Sequence, residues 1–147
     1  MSELPFTGRT VAVTGASGSL GQALLQELQQ QGAALVALTS GESPLDLRDS
    51  SGNAIPFERV RWSCGDEQAL ESVLQRCDVL VINHGFNSHA DRSAVAVARS
   101  LEVNALSSWR LLELFAEVAG RDPADRPARD QPRRDLGRAA RPRSGRA

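Results

Sequence analysis

The sequence predicts an α/β fold, a three-layer arrangement of helices on a parallel sheet, truncated after about four strands. Three observations carry that expectation. Val11-Ala12-Val13-Thr14-Gly15-Ala16-Ser17-Gly18-Ser19-Leu20-Gly21 reads as a short buried strand, a glycine turn and a helix start. A second apolar run, Ala33 to Leu38, follows that helix after a short link. Strand, helix and strand in that order make a right-handed βαβ unit. Two further strand-and-helix pairs follow before the composition changes near Gly120.

Thr10 to Thr14 is β-branched and apolar without alternation, as expected of a central parallel strand covered on both faces. In the first helix Leu20, Leu24 and Leu28 recur at four-residue spacing, Gln22, Gln26, Gln29 and Gln30 fill the other side, and Gly32 supplies a C-terminal cap. Gly41 to Pro56 is rich in turn residues and reads as a loop with room for one helical turn. Val60 to Cys64 is a third strand. Asp66 is then the N-cap of a helix whose Ala69, Leu70, Val73, Leu74 and Cys77 form one face. Val79 to Ile82 is the fourth strand, closed by Asn83-His84-Gly85. A long helical region covers about residues 93–118, with Leu101, Ala105, Ser108, Leu112 and Phe115 as the stripe expected against the sheet and Asn104 facing inward at its edge.

The 147 residues suffice for one core, burying roughly 70% of the unfolded surface. The longest apolar run, Ala33 to Leu38, is far too short to cross a bilayer, so no membrane association is expected. The first five residues lack both a basic and a long apolar region, which argues against a secretory signal and makes the cytoplasm the default compartment. Cys64 and Cys77 form no disulfide framework and read as small buried thiols.

The charge divides the chain. Residues 1–120 carry eight Arg and fourteen acids, a net of −6, whereas residues 121–147 carry nine Arg and four Asp, a net of +5. Four of the seven prolines also fall in that last stretch. With Leu136 its only large aliphatic residue, it cannot offset its ordering entropy and is expected to be disordered. The division is therefore residues 1–119 as an incomplete domain and 120–147 as an Arg/Pro-rich tail. The tail's composition is what a GC-rich reading frame gives when shifted. It has no aromatic residue to stack on bases and four interrupting Asp, so specific nucleic-acid binding is not expected.

Gly15, Gly18 and Gly21 are spaced Gly-x-x-Gly-x-x-Gly. Such a pattern asks for a tight turn at Gly15, backbone open to phosphate from Ser17 to Leu20, and close helix-on-strand packing at Gly21. A P-loop is excluded because the chain has no Lys, and Gly-x-Ser-x-Gly fails because Gly18 directly follows Ser17. His84 and His89 lack a positioned carboxylate, so no metal is expected.

Thr14-Gly15-Ala16-Ser17-Gly18-Ser19-Leu20-Gly21, then Asn83-His84-Gly85, then Val103-Asn104-Ala105 together resemble the short-chain dehydrogenase/reductase family over roughly residues 7–119. The resemblance implies a Rossmann-like NAD(P)-binding fold. It places the cofactor's pyrophosphate on Gly15, Ser17, Gly18, Ser19, Leu20 and Gly21, and the adenosine beside Asn83, His84 and Gly85. Asn104 matches the catalytic-tetrad Asn. Where NAD-preferring members carry an acid after strand two, this chain has Thr39-Ser40, a slight lean toward NADP, although no Arg adjoins them in sequence. Ser63, followed by Cys64, stands where the family has its adenine-contacting Asp.

The family's acid/base is a Tyr assisted by a Lys, and neither residue type occurs here. Arg does not replace that Lys in geometry or hydrogen bonding. The expected reading is the dinucleotide-binding half of a short-chain oxidoreductase, inactive alone. The alternative is a non-catalytic nucleotide-binding or regulatory module. Strand four would be an exposed hydrophobic edge, a route to self-association. The substrate pocket, which the family builds in its C-terminal half, is not legible.

Overall fold

The computed structural model describes residues 3–119. The expected tail, 120–147, lies outside the described residues. Strands β1 (Thr10–Thr14), β2 (Ala34–Thr39), β3 (Glu58–Arg61) and β4 (Val79–Val81) form one sheet in the order β3-β2-β1-β4. Every pairing is parallel, with Ala12 beside Val36 on one side and Leu80 on the other. The unalternating apolar run of β1 follows from this central place. Val11, Ala12, Val13 and Thr14 have no exposed surface, because each face of the strand is covered by a different layer.

On one face Val11, Val13, Leu35 and Ala37 pack with Leu25 of helix α1 (Ser19–Gln30) and with Leu47 and Ile55 of the following loop. On the other, Ala12, Val36 and Leu38 meet Trp62, Leu70, Leu74, Leu111, Leu114 and Val118. The three-layer α/β expectation therefore holds. Successive strand residues supply opposite cores, as the two-residue period requires.

Several local expectations shift. Gly21 and Leu25 are the buried residues of α1, while Leu20 is 63% exposed because it sits in the first turn, before the helix reaches the sheet. Gly32 does terminate α1. At φ +90° it donates to the Gln29 carbonyl at 3.0 Å, and Ala33 donates to Leu28 at 3.0 Å, the paired bonds of a Schellman stop. The 41–56 loop contains no helical turn. An Arg48–Ala54 bridge and the Ile55 N–H on the Leu47 carbonyl (2.9 Å) close it over two buried side chains.

β3 ends at Arg61, earlier than the predicted Cys64, because its partner β2 ends at Thr39, opposite Arg61. Beyond it Trp62 turns into the core, leaving Ser63 and Cys64 in a loop. The next helix, α2, opens with a 3-10 turn (Glu67–Leu70) and continues as Glu71–Leu74. Asp66 makes no side-chain cap there. Glu67 folds back instead to accept the Gly65 N–H at 2.8 Å, and Ala69 is exposed.

The largest correction concerns the long helix. It runs as α3 (Ala94–Leu101, capped by Ser93 Oγ on the Ala96 N–H), a π-helical turn (Glu102–Leu106), and α4 (Ser107–Ala119). The extra residue in the wider turn changes the helical phase. Ser107, Leu111, Leu114 and Val118 become the sheet-facing stripe, whereas Leu101 and Leu112 of the predicted stripe are 58% and 55% exposed. Asn104 is likewise exposed, not inward-facing. Among the described residues β4 is the outermost strand, and no helix is long and apolar enough to cross a membrane.

Candidate dinucleotide site

The carboxyl ends of the parallel strands point their loops to one edge of the sheet, where open α/β sheets hold ligands. The first of these loops is shaped by its glycines. Gly15 has φ +62°, and a Cβ there would lie 2.9 Å from the Asn83 carbonyl oxygen and 3.0 Å from His84 Cα. At Gly21 a Cβ would lie 2.2 Å from the Gly15 oxygen, inside any possible contact. These two glycines let the turn pass under the helix and against the β4 exit.

Gly18 is the N-cap of α1 and has no side chain to cap it, and the first turn holds no acid. The first helical bond runs from Gln22 N–H to the Gly18 carbonyl. The N–H groups of Ser19, Leu20 and Gly21 thus lie at an uncapped helix N-terminus carrying partial positive charge. An anion is the natural complement. The turn is fastened to both neighbouring strands, by Ala16 N–H on the Leu38 carbonyl at 3.3 Å and by Asn83 Nδ2 on the Gly15 carbonyl at 3.4 Å.

Beside this turn opens a cleft of about 400 Å3, within the size range of small-molecule sites. Gly15, Ser17, Ser40, Ser63, Cys64, His84 and Gly85, all expected at the site, line it. Gly18, Ser19, Leu20 and Gly21 stand next to Ser17 as the helix start. Thr39 does not open into the cleft: it is 1% exposed, and its hydroxyl accepts Arg59 Nε at 3.0 Å. Trp62, Phe86, Arg99, Glu102 and Val103 complete the lining and were not expected. Trp62 alone carried a sequence signal, its place next to Ser63.

His84 forms the floor through a bond set that fixes its tautomer. Thr14 Oγ1 accepts the backbone N–H groups of Asn83 (2.8 Å) and His84 (3.2 Å) and stands 2.9 Å from His84 Nδ1. The other ring nitrogen, Nε2, is 3.1 Å from the Val103 carbonyl, which can only accept. Nε2 therefore carries the proton and Nδ1 accepts from the Thr14 hydroxyl. Burial disfavours the imidazolium and lowers the His84 pKa, against smaller opposing contributions from the Val103 carbonyl and Glu67. Trp62 packs edge-on at 5.3 Å.

Asn104 acts as a clamp. Its Oδ1 accepts the Phe86 N–H at 2.8 Å, and its Nδ2 donates to the Phe86 carbonyl at 2.9 Å and to Ser100 Oγ at 3.2 Å. The π-helical turn thereby holds the loop after β4. A further network, which sequence reading missed, ties the Ser63–Gly65 wall to the same turn. The Glu67 side chain, 4% exposed, accepts from Gly65 N–H, Ser107 Oγ (2.6 Å) and Arg110 Nε (2.7 Å), and Arg110 also pairs with Glu102. Burial works against the Glu67 anion, but Arg110, Ser107 and the backbone N–H outweigh it and lower its pKa to about 2. Among the described residues there is no cluster of three or more metal-ligating side chains.

The fold and the cleft together define a Rossmann-type dinucleotide-binding domain. The chain belongs to the NAD-dependent epimerase/dehydratase family, whose model matches residues 11–123. It is 46% identical over 112 residues to the monoglucosyldiacylglycerol epimerase of Synechocystis, covering 76% of this chain and 27% of that protein. Among solved structures it resembles a short-chain dehydrogenase/reductase of Serratia marcescens (TM-score 0.61, 20% identity, 77% of this chain and 51% of that one). It also resembles a short-chain dehydrogenase/reductase superfamily protein of Agrobacterium tumefaciens with bound NAD (TM-score 0.56, 25% identity, 76% and 30%). The chain thus spans about a quarter of the curated relative's length and a third to a half of these structures.

Proposed function

We propose that this chain is the dinucleotide-holding part of an NAD(P)-dependent epimerase or oxidoreductase and does not turn over alone. The observation that carries the reading is the collision a Cβ would make at Gly15 and Gly21, which keeps the uncapped start of α1 open to a diphosphate. The N–H groups of Ser19, Leu20 and Gly21 would hold the pyrophosphate. Ser40 would meet the ribose, Ser63 and Cys64 the adenine, and Gly85 would leave room above the His84 floor. A bound nicotinamide supplies the hydride acceptor that such enzymes use. The residues here bind and orient it, and Asn104 positions the Phe86 wall. No Tyr or Lys is present to move the substrate proton.

Likeness to a monoglucosyldiacylglycerol epimerase supports a sugar carbinol on a glycolipid as the substrate class of a complete enzyme of this type. The lean toward NADP gains support from Arg59. Its guanidinium bonds Thr39 Oγ1 and, at 2.7 Å, the Gly41 carbonyl, placing a cation beside the end of β2 that the linear sequence did not reveal. Titration of the 147-residue chain with NADPH and NADH, read by quenching of Trp62, tests both parts. Saturable binding without carbonyl reduction or epimerisation is expected, with Arg59→Ala weakening NADPH more than NADH. Robust turnover refutes the inactivity, and absence of binding by a folded chain refutes the cradle.

A further inference from the structure

Of the residues that line the cleft, Arg99 and Glu102 alone are charged. They stand three positions apart on α3 and the turn that follows it, a spacing at which Arg and Glu side chains can meet. They do not pair. Glu102 is taken by Arg110, which Glu67 holds from the other side, and among the described residues Arg99 has no ion pair. The cation is placed instead by an aromatic ring. Arg99 Cζ stands over Phe86, 4.4 Å from the ring centroid, and Phe86 is itself held at both its N–H and its carbonyl by Asn104.

This placement decides which part of the guanidinium the cleft receives. The group is planar, delocalised and weakly hydrated, and it stacks on flat π systems through its faces. Phe86 covers one side of it, while the exposed other side lies open to the cleft. The Ser63–Gly65 wall adjoins this flank, because Glu67 accepts the Gly65 N–H and shares Arg110 with Glu102. A flat group resting beside Ser63 and Cys64 is therefore within reach of Arg99.

Resting on the reading of the cleft as a dinucleotide site with the adenine beside Ser63 and Cys64, we propose that Arg99 is a stacking platform for that purine. It completes a Phe86–Arg99–adenine stack and contributes through its plane, not through its charge. Stacking of this kind adds affinity for the adenosine half without choosing between NADH and NADPH. Because Glu102 is kept on Arg110, it does not draw Arg99 off the ring.

Titration of the full 147-residue chain with NADH, read by Trp62 quenching, tests the proposal with substitutions at position 99, which is exposed and should leave circular dichroism and melting unchanged. A base stacked on a side chain changes affinity by roughly tenfold, so Arg99→Ala should bind NADH about tenfold more weakly. Arg99→Lys keeps the charge and loses the plane, and it should be as weak as Arg99→Ala. Arg99→Phe keeps a plane and loses the charge, and it should recover most of the affinity. NADPH should follow the same order. Near-native affinity in Arg99→Lys would make position 99 a phosphate contact and overturns the proposal, as does an Arg99→Phe chain as weak as Arg99→Ala. Native affinity in Arg99→Ala overturns the platform alone and leaves the cradle standing, whereas a folded wild-type chain that binds neither dinucleotide overturns both.

Discussion

Replacing Glu67 by Gln removes the charge that joins the Ser63–Gly65 wall to α4, at nearly constant shape. The amide oxygen can still accept Gly65 N–H, but the new NH2 group is set against Arg110 Nε, donor to donor. A carboxyl held at about 2 instead of 4.5 corresponds to about 3 kcal/mol at 1.36 kcal/mol per unit. Arg110 is 36% exposed, so solvent screening reduces this to about 2 kcal/mol. For a domain of this size that is a fall of roughly 6–8 °C in Tm at neutral pH. Because the folded pKa is depressed, the stabilisation is complete above about 4.5 and is lost as the pH falls through about 2. The wild type and Glu67→Gln should therefore converge in urea unfolding near pH 2 and diverge at pH 7. A pH-independent difference, or none at pH 7, refutes the electrostatic account of this network.

Gly21→Ala places a methyl 2.2 Å from the Gly15 carbonyl oxygen, so either the turn or the helix must move. Dinucleotide affinity should fall at least tenfold, with a loss of about 2 kcal/mol or more in denaturant unfolding; a variant with native affinity contradicts the close approach. His84, half-buried and neutral, has a folded pKa below its ordinary 6.5. The unfolded chain then binds more protons as the pH drops below that value, so stability should fall there, and His84→Gln should flatten the dependence seen between pH 7 and 5. Burial pushes the Cys77 thiol up to about 12, while Cys64 lies half-buried in the cleft. A thiol reagent should therefore label Cys64 first in the native chain, and bound dinucleotide should slow it. Equal labelling of both cysteines would show that the core opens readily.

The βαβ order, the glycine turn and the α/β class were legible because local rules set them. An unalternating apolar strand, three glycines at three-residue spacing and a Gly stop at position 32 each demand one backbone path. Asn83, His84 and Gly85 were placed near that turn by the family resemblance, and they come against Gly15 because a parallel sheet gathers its strand ends at one edge. The end of β3 was not legible, because it is dictated by where β2 stops. Nor was Arg59 beside Thr39, twenty positions away, since only strand register brings them together.

Chain chemistry by itself also settled that no Tyr or Lys is present, an inventory that folding cannot alter. Which side of the long helix faces the sheet was decided by tertiary packing. Its periodicity allowed two apolar stripes, and a single extra residue in the π-helical turn selected the one through Leu111. The Glu67–Arg110 network depended on packing for the same reason: its charges are 43 positions apart, and they act on each other only once α2 and α4 are pressed to one face of the sheet.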